Sequence, residues 1–250
     1  MIAKVLENFF RKLLPLERYA FGKICRSSGL QLDYRLNREG INILNEVFVQ
    51  KVYAAYFPLY EKACIVDVGA HFGYFSFFAA LNTQPDSRIF ALEPFPDNFD
   101  LLRQNLAAHS FSNITPLAIG LGGKSEERGI SGHKSFNQSI FGSKTGEGTS
   151  ASLLSLADFC DQQGLEQIDF LKLDCEGAEY PILLDSTADS IRRAKVISME
   201  FHDLREEGYR PLQLVNCLES AGFDIRLFQF SPNYGGQSRN FGKIIGLRKD

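Results

Sequence analysis

From Cys64 onward the sequence changes period, and short apolar runs begin to alternate with helical segments. Seven runs read as strands: Cys64–Val68, Arg88–Leu92, Asn113–Ala118, Ile168–Leu173, Lys195–Phe201, Phe223–Phe230 and Lys243–Leu247. The first is continuously apolar except for Asp67, as expected of a parallel strand covered on both faces. Helices are expected over Gly73–Leu81, from Pro96 to about Ala108, from a Ser155 cap to near Gly164, and between Pro211 and Gly222. Strands that alternate with helices make a parallel sheet with right-handed crossovers. The last two strands, joined through Pro232, Gly235 and Gly236 without a helix, imply an antiparallel edge. The expected fold is α/β and Rossmann-like, a seven-stranded, mostly parallel sheet.

The segment before this pattern is different. Ile2, Val5, Leu6, Phe9, Leu13 and Leu14 recur at helical spacing, with Lys4, Arg11 and Lys12 between them. This reads as a cap helix packed on the domain or on a partner subunit, and less readily as a helix lying on a membrane surface. A second helix is expected over Asn45–Tyr56, ended by Pro58. The chain therefore divides into an N-terminal helical cap, 1–60, and an α/β domain, 61–250. The stretch Gly120–Ser150 is too long for a simple connection and reads as a hairpin or a loop over the site.

A net charge of −3 argues mildly against nucleic acid as the main partner, which usually calls for a clustered basic surface, and leaves room for a small basic patch. Five scattered cysteines without a C-x-x-C pair fit neither a disulfide framework nor a zinc site. No uncharged apolar run reaches the roughly 18 residues of a membrane span, and no signal peptide is evident. These features point to a cytoplasmic protein. Homo-oligomerisation stays open.

Four segments carry chemistry. Asp67-Val68-Gly69-Ala70-His71-Phe72-Gly73 closes the first strand. Gly69 permits a tight turn and close backbone approach, Gly73 opens the next helix toward a ligand, and Asp67 is placed to accept from a bound ammonium. A dinucleotide site wants a second glycine where His71 stands, which disfavours NAD. Glu93, before Pro94-Phe95-Pro96, ends the second strand where a ribose diol would lie. The run Lys172-Leu173-Asp174-Cys175-Glu176-Gly177-Ala178-Glu179 concentrates charge at the carboxyl end of the fourth strand, where open α/β sheets bind ligands. Glu200 and His202 share a face at the end of the fifth strand, and a histidine takes a proton near neutral pH without large tuning.

Together these segments resemble the FkbM-type family of S-adenosylmethionine-dependent methyltransferases. The matching residues are Val66 to Gly73, Glu93-Pro94-Phe95-Pro96 with Asn105, Asp169 to Glu179, and Glu200-Phe201-His202. The resemblance implies a class I methyltransferase fold, S-adenosylmethionine as cofactor, and methylation of a hydroxyl on a small molecule or glycan. Asp67, Gly69, His71, Gly73, Glu93, Pro94 and Ala118 are then the candidate cofactor-binding residues. His202, Asp174 and Lys172 are the candidate catalytic residues, with His202 first as general base. A divalent cation held by Asp174, Glu176, Glu200 and His202 is a variant, not the favoured reading. The rival functions are an NAD-dependent oxidoreductase and a non-catalytic methyltransferase-like binding protein. His71 departs from the asparagine expected at its place.

Overall fold

The computed structural model describes residues 2–130, 149–202, 204, 207–231 and 241–250. The segment through Pro232, Gly235 and Gly236 lies outside them, as does most of the Gly120–Ser150 stretch. The seven expected strands form one sheet. In chain order they are β1 (Cys64–Val68), β2 (Arg88–Leu92), β3 (Ile114–Leu117), β7 (Ile168–Leu173), β8 (Ala194–His202), β9 (Phe223–Ser231) and β10 (Phe241–Arg248). Their spatial order is β3-β2-β1-β7-β8-β10-β9. The first five pair in parallel, and β10 runs antiparallel to both β8 and β9. The chain leaves β1 toward β2 and later returns on its other side as β7, so the strand order reverses at β1. Ligands bind at such a switch point.

Local chemistry sets the helix starts. In α5 (Pro96–Ala107) and α9 (Pro211–Ser220) proline is the first helical residue, where its missing N–H is not needed. Ser155 caps α6 (Leu156–Gln162), its hydroxyl accepting from the Asp158 N–H. The helix after β1, α4 (Tyr74–Asn82), is apolar all round and packed on both sides, with Tyr74, Phe75, Phe77 and Phe78 buried.

Successive residues of a strand serve opposite faces, and β1 shows it. Ile65 joins one core cluster with α4, while Val66 and Val68 join the other with Phe159, Tyr180 and Leu214. The Ile65 cluster also takes in Phe21 and Ile24 from α1 (Ile2–Ser28), and Leu44, Val47, Tyr53 and Phe57 further along. The amino-terminal segment therefore packs on the sheet through its own buried face. The apolar side chains from Ile2 to Leu14 fall outside the described set.

One expectation is corrected. No single helix spans Asn45–Tyr56. After α2 (Tyr34–Asn37), a 3-10 turn and α3 (Ile41–Asn45), one π-helical turn runs over Glu46–Gln50 and ends at Lys51, which is left-handed with φ 55°. The chain then winds irregularly, because Tyr53 and Phe57 are drawn edge-on against Phe75, Phe78 and Phe170, with ring centroids 5.1–6.0 Å apart. The stretch after β3, expected as a hairpin or a loop, agrees with the hairpin alternative, since Glu126–Ile130 pairs antiparallel with Thr149–Leu154. It contributes β4 (Ile119–Leu121), β5 (Glu126–Ile130) and β6 (Thr149–Leu154), a separate three-stranded sheet in the order β4-β6-β5.

Candidate active site

The carboxyl ends of β2, β1, β7 and β8 lie side by side, and each brings polar groups. The Gly69 turn is fastened to β2: the N–H groups of Gly69 and Ala70 both donate to the Leu92 carbonyl, at 3.0 and 2.9 Å. Gly69 has φ 76°, and a Cβ there would lie 1.9 Å from the Asp174 carbonyl oxygen. Glycine is thus required because the β1 turn touches the β7 turn.

Asp67 and Lys172 stand opposite each other in the β1–β7 register. Lys172 Nζ donates to Asp67 Oδ1 at 2.9 Å and to the Gly69 carbonyl at 3.0 Å. The other Asp67 oxygen accepts from Ser76 Oγ at 2.7 Å. Burial opposes the charge on Lys172, but Asp67 and Asp174 outweigh it and hold its pKa above the usual lysine value. Asp67 is 0% exposed and Lys172 3%. Neither presents a free face. Asp67 is linked to the Gly69 carbonyl through the Lys172 ammonium, which ties β1, its turn and β7 together.

Glu93 lies under the same turn. Its Oε2 accepts from the His71 backbone N–H at 2.8 Å and its Oε1 from the Phe95 N–H at 3.0 Å. Burial pushes its pKa up to about 7, against the pull of those N–H groups and the Asn98 side chain. His71 is itself left-handed, φ 51°, and burial lowers its imidazole to about 4, so it is neutral. Gly73 enters α4 with φ 89°. Pro94 packs toward Gly120, and the Leu117 carbonyl, just before exposed Ala118, accepts the Glu93 N–H at 3.1 Å. The candidate cofactor residues therefore gather around the ends of β1, β2 and β3.

On the other side, Glu176 (φ 54°) and Gly177 (φ 107°) turn the chain sharply after β7 into α7 (Glu179–Leu184). The turn aims two carboxylates at His202. Glu176 Oε2 lies 3.4 Å from Nε2, and Glu179 Oε1 lies 4.0 Å from Nδ1. Glu179 is fully buried and also accepts the Cys175 N–H at 2.8 Å. The Tyr180 hydroxyl fixes the His202 backbone by donating to its carbonyl at 3.0 Å. Burial opposes protonation of His202, yet Glu179, Glu176, Asp174 and Glu200 together raise its pKa. Glu200 is lifted to about 8, first by burial and then by Asp174.

Several partners in this half have no sequence signature. The Tyr53 hydroxyl donates to Asp174 Oδ2 at 2.8 Å. Lys243 sits opposite Glu200 in the β8–β10 register, with Nζ 3.8 Å from Oε2, and lies 5.7 Å from the Tyr53 ring centroid. Glu46 joins them electrostatically, its carboxyl raised by burial and then lowered in part by Lys243. Only the alternation of β10, which puts Lys243 on the Glu200 side, could have hinted at any of them.

Asp174, Glu176, Glu200 and His202 do not assemble into a metal site. Among the described residues no group of three or more His, Cys, Asp or Glu side chains could hold an ion. Asp174 is instead tied to Tyr53, Glu200 to Lys243, and Glu176 to His202.

A sheet of this order, with a glycine turn after β1 and a carboxylate after β2, defines a class I methyltransferase architecture. A family model described as the methyltransferase FkbM domain matches residues 67–225, and the chain belongs to this family of S-adenosylmethionine-dependent methyltransferases. It is 29% identical over 223 residues to methyltransferase sdnD of Sordaria araneosa, covering 73% of this chain and 82% of that protein. It is 26% identical over 246 residues to the AMB antimetabolite synthetase AmbE of Pseudomonas aeruginosa, covering 82% of this chain but only 11% of that one. Among solved structures, the METTL16 MTase domain superposes with a TM-score of 0.55 at 11% identity, over 94% of this chain and 79% of that one. That likeness is one of fold. The comparisons favour neither the oxidoreductase nor the non-catalytic reading.

Proposed function

We propose that the chain transfers a methyl group to a hydroxyl of a small molecule or sugar, with His202 as general base. The observation that carries this reading is the setting of His202. It ends β8 at 8% exposure, with a carboxylate facing each ring nitrogen and its backbone pinned by Tyr180. The buried Glu179 orients the ring from Nδ1, and the acceptor hydroxyl takes the place of the partly exposed Glu176 at Nε2, an arrangement that activates a weak nucleophile.

S-adenosylmethionine supplies an electrophilic methyl on a sulfonium centre. The residues around the Gly69 turn fit that cofactor by chemistry. The Glu93 carboxylate, already lifted to about 7 by desolvation, is stabilised by further hydroxyl donors, which a ribose diol provides. Gly69, His71, Gly73, Pro94 and Ala118 line the same region. Asp67 and Lys172 hold the turn rigid from beneath.

On the acceptor side, His202 takes the hydroxyl proton as the new bond forms. Glu176 and Glu179 stabilise the imidazolium that results. Asp174, fixed by Tyr53, is already receiving one hydrogen bond and serves to orient the acceptor. Holding the two reactants in register contributes on the order of 7–11 kcal/mol, and the base about 10²–10⁴-fold.

The test has two parts. Labelled S-adenosylmethionine incubated with the protein and a cell extract identifies the product that acquires the label, and an ether linkage in that product is expected. With that acceptor, His202→Ala should lower turnover by about 10²–10⁴-fold while cofactor affinity holds. Because the His202 pKa is raised, the base is neutral only at higher pH, so wild-type kcat should climb through a value above the usual histidine range. Unchanged turnover in the variant, or a label on nitrogen or carbon, sinks the reading.

A further inference from the structure

On the flank formed by the carboxyl-terminal half of α1 and the segment 32–35 lies a cleft of about 470 Å³ that shares no residue with the site above. Its floor includes Phe21, which meets the Tyr34 ring edge-on at 5.4 Å. Its rim carries Arg18, Arg26 and Arg35, all exposed. Two carboxylates stand close by: Asp33, itself part of the lining, accepts the Arg35 backbone N–H at 2.8 Å as the cap of α2, and Glu17 lies 3.5 Å from Arg38 and also faces the Tyr34 hydroxyl. Among the described residues, none of the three guanidinium groups has a carboxylate within ion-pair distance. Three arginines against the single carboxylate of Asp33 leave the lining with a surplus of positive charge, which favours a polyvalent oxyanion that their planar donors bind in pairs.

The surroundings say which kind of oxyanion. Tyr19 is 67% exposed and Leu16 65%, and Tyr19 is three and seven residues from Gly22 and Arg26, on the same side of α1. Leu36, just beyond the cleft, is 49% exposed. Between Ile2 and Ser28 the sequence holds six basic residues against two acidic ones, although the whole chain is at −3. Exposed apolar groups beside arginines, on a basic helix, match the boundary between anionic headgroups and acyl chains.

We propose that this flank docks the protein on a membrane surface carrying anionic phospholipid, with a headgroup phosphate among Arg18, Arg26 and Arg35, and Leu16, Tyr19 and Leu36 set into the acyl boundary. The protein rests on the bilayer, since no helix among the described residues is long and apolar enough to cross it. The mode needs no change at the catalytic side.

The test is sedimentation of the full chain with phosphatidylcholine vesicles, with and without phosphatidylglycerol. Binding is expected only with phosphatidylglycerol, and high salt should release it. The triple variant Arg18→Gln, Arg26→Gln, Arg35→Gln should bind on the order of 100-fold more weakly. Leu16→Ser with Tyr19→Ser should also lose binding with every charge retained. Removing three exposed lysines elsewhere (Lys62→Gln, Lys124→Gln, Lys195→Gln) controls for bulk charge, and unfolding curves control for folding. Absence of binding to the phosphatidylglycerol vesicles overturns the proposal, as does a triple variant that matches the lysine control. Glycerol phosphate bound by the chain without vesicle binding assigns the cleft to a soluble anion instead. Self-association abolished by the Leu16 and Tyr19 changes, again without vesicle binding, assigns the flank to a second copy.

Discussion

Under the proposed ribose contact, Glu93 couples cofactor binding to pH. Desolvation favours its neutral form, and the N–H groups of His71 and Phe95 with the Asn98 side chain favour the charged one, leaving it at about 7. A bound ribose adds donors that only the carboxylate accepts fully, so binding lowers this pKa. Affinity for S-adenosylmethionine should therefore be at its plateau above pH 7 and fall as pH drops through it, approaching tenfold per unit. His71 does not confuse the titration, since it stays neutral down to about 4. Glu93→Gln should flatten the profile and weaken binding about 10-fold or more, the loss expected for hydrogen bonds to a charged group. Calorimetric titration across this range checks it, and a flat wild-type profile would count against the ribose assignment. At this scale Asp67, Glu93, Lys172 and His202 were legible because each is a charged or titratable residue set where an apolar strand ends. Tyr53, Glu46 and Lys243 were not. They reach the site through irregular backbone and a long-range strand pairing, neither of which leaves a local spacing.

Elements are where the sequence speaks most clearly and also where it misleads. Pro96, Ser155 and Pro211 announce helix starts because proline and a capping hydroxyl have few other stable places. The strands of the main sheet announce themselves because burial on both faces demands apolar runs. β5 and β6 were legible only as a hairpin or a loop, and β4 not at all, because all three are short, polar on one side and rich in serine and glycine. The Asn45–Tyr56 periodicity misleads because aromatic packing of Tyr53 and Phe57 outweighs helix propensity. The β1 turn gives the sharpest test of how elements are joined. Gly69→Ala puts a methyl 1.9 Å from the Asp174 carbonyl, which cannot retreat because the Asp174 N–H is held by the Val68 carbonyl at 3.2 Å. A loss of about 2–4 kcal/mol is expected, with cofactor binding abolished. Gly164→Ala is the control. It has φ 60° but nothing within 4 Å of the added methyl, so it should cost only the backbone strain, about 1–2 kcal/mol, and leave binding intact. Chemical denaturation separates the two, and equal losses would show that φ alone, not the junction of β1 with β7, sets the requirement.

For the molecule as a whole, the question is whether the amino-terminal segment is an appendage or part of the folding unit. The family match begins at residue 67, yet Leu44, Val47, Tyr53 and Phe57 are buried in the same cluster as Ile65, Phe75, Phe78 and Phe170. Phe21 and Leu30 join that cluster from farther out. Burying a large apolar side chain contributes about 1.5–3 kcal/mol, so these six together are worth on the order of 10 kcal/mol, the size of a domain's entire net stability of about 5–15 kcal/mol. Tyr53 also carries the hydrogen bond that orients Asp174, so stability and site depend on one segment. Residues 61–250 alone should then fail to fold at ambient temperature, and the full chain should melt in one transition with equal calorimetric and van't Hoff enthalpies. Two resolved transitions, or a truncated chain that melts sharply and binds S-adenosylmethionine, would make residues 1–60 a separate cap. One transition would mean that the methyl-donor side and the acceptor side are built on a single core, and that changes in the first sixty residues reach the reacting groups by way of Tyr53.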